Sequence, residues 1–146
     1  MLTAKKVFRW SLVLLWLALT IFLSRQKGEG SAELSGQIAG GLSSLLAKIG
    51  IDVKYYSFHA SLRQLAHFMM HFVLAILFYR ALVLVCGGFK TAICLSALFC
   101  SVIAIYDELV QYYRPGRVLD INDIVLNLFG VSCGIILGIL SVRQNK

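Results

Sequence analysis

Apolar residues in this chain are gathered into four long blocks, covering about residues 7–23, 62–85, 89–109 and 121–142. Each is close to the ~20 residues that a helix needs to cross ~30 Å of hydrocarbon. Backbone groups in lipid must pair within their own segment, so blocks of this length predict helices. A membrane barrel would show alternating segments of ~10 residues, and none is present. The pattern predicts an all-α membrane protein, a bundle of four transmembrane helices in a single domain over residues 1–146.

The stretch between the first two blocks, residues 24–61, reads as a polar outer loop with a helix of its own. Gly28, Gly30 and Ser31 interrupt the apolar pattern, and Ser31 is placed to cap a helix whose first turn holds Glu33. Leu34, Ile38, Leu42, Leu45 and Ile49 then recur at helical spacing, which predicts an amphipathic helix lying in the interface. Gly40 and Gly41 are expected to weaken it, to the point of dividing it in two. Tyr55, Tyr56 and Phe58 mark a return to the interface, where such rings prefer to sit. Gly87-Gly88 predicts a tight hairpin between the second and third spans, and Pro115-Gly116 a turn before the fourth.

Composition agrees with this reading. Of 146 residues, 59% are hydrophobic and 14% charged, with a mean hydropathy of +0.81. A soluble domain needs more charge to cover its surface. The net charge of +7 does not point to nucleic acid, because Lys and Arg stand at the ends of the apolar blocks, where they anchor helices to headgroups. Lys5 and Lys6 ahead of the first block, with Arg9 near its start, resemble the start of a signal peptide, but no small-residue cleavage site follows, so a retained span is expected. With four crossings both termini share one side, and the same three residues place that side in the cytoplasm. The full Lys and Arg count splits evenly, so the orientation rests on the first span. Cys86, Cys94, Cys100 and Cys133 form no CxxC or Cys/His spacing and are expected to be reduced packing residues.

The polar residues of the spans meet at one side of the bilayer. Arg63, His67 and His71 repeat every fourth residue and share a helix face. Asp107 and Glu108 precede Gln111 by four and three residues, and Asp123 precedes Asn127 by four. An ionisable group inside a bilayer costs about 2.5–3.5 kcal/mol even on the lenient insertion scale. The set is therefore expected to face the bundle interior or a wet pocket. Three chemistries fit it: a salt-bridge network tying helix ends together, an anion clamp using Arg63 and Arg117, or acid–base catalysis by Asp107 or Glu108 with His67. His71 sits deeper and is expected to hydrogen-bond between helices. A metal held by His67 and carboxylates has no supporting motif such as H-E-x-x-H, so neither metal nor cofactor is expected. Gly130, Gly134 and Gly138 form a small-residue stripe that suits close helix packing, within the bundle before dimerisation.

These residues resemble the VanZ-like family of bacterial membrane proteins. The stretch from Asp107-Glu108 through Gln111 to Pro115-Gly116-Arg117 is similar to its DE-x-x-Q-x-x-x-PGR signature, and Asp123, Asn127 and Gly130 to its D-x-x-x-[ND]-x-x-G. Arg63-Gln64-Leu65-Ala66-His67-Phe68 resembles its R-K-x-x-H-F element, with Gln64 where Lys is usual. Leu23 to Gln26 and Ser31 to Ser35 resemble a further F-S-x-Q…S-x-x-L-S segment. Met70, His71 and Val110 depart from the pattern, where the family often has Glu, Tyr and a second His. The resemblance implies a role at the cell envelope of a bacterium, in its plasma membrane. The family's namesake is associated with low-level resistance to teicoplanin, by a route that leaves the peptidoglycan stem peptide unaltered, and other members with lipopeptide tolerance.

Two function classes follow as expectations. The first is a binding protein whose outward pocket takes an anionic membrane lipid or lipid-linked cell-wall precursor, through Arg63, His67, Asp107, Glu108, Gln111, Arg117, Asp123 and Asn127. The second is an integral-membrane enzyme using Asp107, Glu108 and His67 on the same kind of molecule. The residues leave open whether any reaction is catalysed. Proton or ion transport is disfavoured, because polar groups gathered at one end offer no path through.

Overall fold

A computed structural model describes residues 4–25, 28–113, 115 and 119–143. It holds five helices in the order α1 (Ala4–Ser24), α2 (Gly28–Lys48), α3 (Tyr55–Leu82), α4 (Phe89–Tyr112) and α5 (Ile121–Arg143). There is no strand among the described residues. Helices α1, α3, α4 and α5 are each long and apolar enough to span a membrane, as the four blocks require. Their outward faces stay apolar, with Leu15, Phe22, Leu98, Val102, Phe129 and Ile136 exposed. In water such a surface would aggregate; against lipid tails it is the expected one.

Helices α3 and α5 make the most extensive contact in the bundle, and the glycine stripe is the reason. A Cβ on Gly130 would stand 2.5 Å from the Phe68 carbonyl oxygen, and one on Gly134 would run into that of Phe72. Gly138 lies against the Tyr79 ring. The stripe is thus used inside the bundle. Leu74, Ala75, Cys100, Ala104, Val131 and Ile135 form the core beneath the polar layer. Helix α1 is fastened to α3 at two levels: Trp16 Nε1 donates to the Met70 carbonyl at 2.8 Å, and Arg9 Nη1 to that of Arg80 at 2.5 Å.

Several local expectations are corrected. Helix α2 starts at Gly28, so Ser31 lies inside it, and it runs unbroken through Gly40 and Gly41. Docking explains why those glycines do not break it. Ser35 Oγ is 2.8 Å from His59 Nε2, and the Tyr55 hydroxyl donates to the Gly36 carbonyl at 3.3 Å. Tertiary contacts of this kind outweigh intrinsic propensity. Ile38, Leu42 and Leu45 remain exposed, leaving an uncovered apolar face on α2, and Ile49 is exposed just beyond its end. Helix α3 begins at Tyr55 instead of residue 62, because Tyr55, Tyr56 and Phe58 form its first turn. It ends at Leu82, and the chain turns through residues 83–88 into α4, with Gly88 as its N-cap. Asp120 caps α5 by accepting from the Asn122 amide at 2.9 Å. Of the four cysteines, all free, Cys100 is buried, whereas Cys94 is exposed on the outer surface of α4 and does not pack as expected.

Candidate functional site

The antiparallel order of the spans brings the C-terminal end of α1, the N-terminal half of α3, the end of α4 and the start of α5 to the same side. Each delivers polar side chains there. Asp107, Glu108, Gln111, Asp123, Asn127 and His71 are all buried, so what they can bond to is set by their neighbours and not by bulk solvent.

The centre is Glu108. Its Oε1 lies 3.2 Å from His67 Nδ1 and accepts from Asn127 Nδ2 at 3.1 Å. One carboxylate oxygen therefore joins α3, α4 and α5. On one side Arg63 Nη2 contacts Asp123 Oδ2 at 3.3 Å, across α3 and α5. On the other, Gln111 Nε2 donates to Asp107 Oδ2 at 3.1 Å, one turn along α4. Asp107 and Glu108 thus face different neighbours, as adjacent helical positions must, and only Asp107 takes Gln111. Ser24 Oγ donates to the Asp107 carbonyl at 3.4 Å and ties α1 to the same layer. Arg117 lies outside the described residues, so its place in the anion clamp is not part of this geometry.

His71 differs from its expected role. Its Nδ1 lies 3.2 Å from the His67 carbonyl on its own helix, and it reaches no other helix by that atom. A carbonyl accepts only, so Nδ1 carries a proton, and in the neutral ring Nε2 is the nitrogen left with the lone pair. That Nε2 has no hydrogen-bond partner. The Asp123 Oδ1 and Asn127 Oδ1 atoms, both buried, are likewise without a donor.

Beside this network a cavity of about 430 Å³ opens between α1, α2, α3 and α4. Arg63, His67, His71, Asp107 and Gln111 line its polar side. Leu23, Ile38, Leu62, Leu65, Met69 and Met70 line the remainder, and Thr20, Ser24 and Ser35 complete it. The sequence reading missed His71 as a wall residue and the contributions of Thr20, Ser24 and Ser35. Single hydroxyls on helices carry no periodic signal of function, and only the docking of α1 and α2 brings these three together. His67, Glu108 and Asp123 also offer ligand atoms within 4.8 Å of one another, a grouping that could hold a cation.

A family model described as VanZ/LLP1 matches residues 8–142. No curated protein and no solved structure matches the chain. The match covers nearly the whole chain, including every helix that supplies the site, and the chain belongs to the VanZ/LLP1 family. With four apolar spans, it is a multi-pass membrane protein.

Proposed function

We propose that this VanZ/LLP1-family protein holds a membrane lipid or lipid-linked cell-wall precursor in the cavity between α1, α2, α3 and α4. The observation that carries this reading is the division of the cavity walls. A polar side formed by Arg63, His67, His71, Asp107 and Gln111 runs beside an apolar wall of Leu62, Leu65, Met69 and Met70. A molecule with a polar head and a hydrocarbon tail matches both parts. Arg63 keeps free donors for a phosphate, since only one of its five N–H groups is directed at Asp123 and the side chain is 42% exposed. Three carboxylates occupy the deeper layer, so an anionic group would sit at Arg63 and not among them. In this reading the cavity faces the outer side of a bacterial plasma membrane, with both termini cytoplasmic. Capture of a lipid there would alter how glycopeptides such as teicoplanin, or lipopeptides, act on the envelope.

Mass spectrometry of the protein released from nanodiscs containing a phospholipid and polyprenyl-precursor panel tests the reading. Retention of one lipid class by wild type, lost in Ala66→Trp and weakened in Arg63→Gln, supports it. Ala66 lines the cavity at an exposed position, so the added ring fills the cavity without displacing core. Equal retention by Ala66→Trp would reject the cavity as the site.

One observation favours the second reading, an enzyme acting on the same class of molecule. His71 lines the cavity and its Nε2 has no hydrogen-bond partner among the described residues, while Nδ1 is directed at the His67 carbonyl. In the neutral ring Nε2 is then the nitrogen open to a proton from a bound substrate. A lipid product formed by wild type and absent with His71→Gln or Glu108→Gln, lipid retention being equal, would establish catalysis.

A further inference from the structure

We propose that His67, Glu108, Asp123 and Asn127 form a binding site for one divalent transition-metal ion, of the Mn²⁺, Fe²⁺ or Zn²⁺ class. Three observations converge on it. The first is geometric: ligand atoms of His67, Glu108 and Asp123 lie within 4.8 Å of one another, though each comes from a different helix. Opposite ligands of a bound ion at ~2.0–2.2 Å stand ~4.0–4.4 Å apart, so small side-chain rotations close the set.

The second concerns orphaned acceptors. Asp123 gives Oδ2 to Arg63, and its Oδ1 has no donor. Asn127 gives Nδ2 to Glu108, and its Oδ1 has none either. Asp123 is 4% exposed and Asn127 fully buried. These residues are one turn apart on α5, on the same face. A bare buried acceptor is costly if left so, and a cation bound among these side chains would give both a partner.

The third is charge. Three buried carboxylates, Asp107, Glu108 and Asp123, stand in this layer, and the one guanidinium contact to them among the described residues is that of Arg63 to Asp123. Excess negative charge in a membrane-spanning layer is costly. A divalent ion offsets it. It would take the place of the proton shared between His67 Nδ1 and Glu108. One imidazole nitrogen with carboxylate and amide oxygens suits Mn²⁺, Fe²⁺ or Zn²⁺, and no cysteine stands in the set to favour softer ions. The ion would sit behind the polar wall of the cavity, through His67, but its binding does not require a lipid there.

The test is an EPR titration of MnCl₂ into the full chain in nanodiscs of zwitterionic lipid. The expected result is one Mn²⁺ bound per chain, with affinity reduced at least about tenfold in Asp123→Asn and in Asn127→Leu. Asp107→Asn, whose carboxylate takes Gln111 instead, should retain the site. Pulsed EPR on wild type labelled with ¹⁵N-histidine should show one directly bonded nitrogen. Absence of stoichiometric binding, or bound Mn²⁺ without a histidine nitrogen, overturns the proposal. The second outcome needs no variant to fold. Lipid retention, read separately by mass spectrometry, stands or falls independently of either result.

Discussion

His67 on α3 and Glu108 on α4 meet through a single 3.2 Å contact between Nδ1 and Oε1, with Glu108 2% exposed. Glu108 is shielded on every side, while His67 borders the cavity. Removing His67 leaves a buried carboxylate whose remaining donor among the described residues is Asn127, and breaking such a pair costs about 3–5 kcal/mol. His67→Leu should therefore lower stability by that order in detergent-solubilised protein. Adding Glu108→Gln on top should recover part of the loss, because the amide carries no charge and still accepts from Asn127. Unfolding by SDS titration, followed by circular dichroism, measures both. A double variant no more stable than the single one would show that the carboxylate's charge is not what makes the loss costly.

The Arg63–Asp123 contact should behave differently. Its distance is similar, but Arg63 is 42% exposed on its side chain, and screening leaves such pairs about 0.2–1 kcal/mol. Arg63→Gln should thus cost less than His67→Leu in the same titration. A larger loss would mean that Arg63 is more deeply enclosed in the membrane than in the isolated bundle.

Two glycine substitutions separate packing from propensity. Gly134→Ala drives a methyl group into the Phe72 backbone, and overpacking of this kind costs about 1–3 kcal/mol. Gly41→Ala meets nothing within 4 Å and should stabilise α2 by about 0.5–1 kcal/mol. Opposite signs in paired melting curves are the expected result. Stabilisation by Gly134→Ala would disprove the close approach of α3 and α5.

The four spans and the side on which the polar residues gather were legible in the sequence because lipid forces helix length and forbids scattered charge. Arg63, His67, Glu108, Asp123 and Asn127 could be named because each repeats at a helical interval on one face. Their pairing could not. Whether Gln111 serves Asp107 or Glu108 depends on which carboxylate is engaged by other helices, and His67 on α3 and Asn127 on α5 take Glu108. The start of α3 was misplaced because Tyr55 and Tyr56 suit an interface as well as a helix. The continuity of α2 was hidden because Gly40 and Gly41 argue locally against it, while the contacts that hold it, from Ser35 to His59 and from Gly36 to Tyr55, are distant in sequence.

Those contacts make α2 the element whose stability can be varied by itself. It rests mainly on α3, chiefly through its N-terminal half, while its apolar residues Ile38, Leu42 and Leu45 stay exposed. Few buried contacts mean a low free energy of local opening. His59→Ala removes one partner of Ser35 and the ring stacked 6.1 Å from Tyr55, about 0.5–1.5 kcal/mol for the hydrogen bond. Hydrogen exchange in nanodiscs should then accelerate in α2 by about 2–10-fold, since about 1.4 kcal/mol is a factor of ten, with α4 and α5 unchanged. Ser35 and Ile38 line the cavity, so a loosened α2 should also release a retained lipid faster. If exchange rises equally in α4 and α5, α2 is not a separable flap, and its docking is part of the global fold.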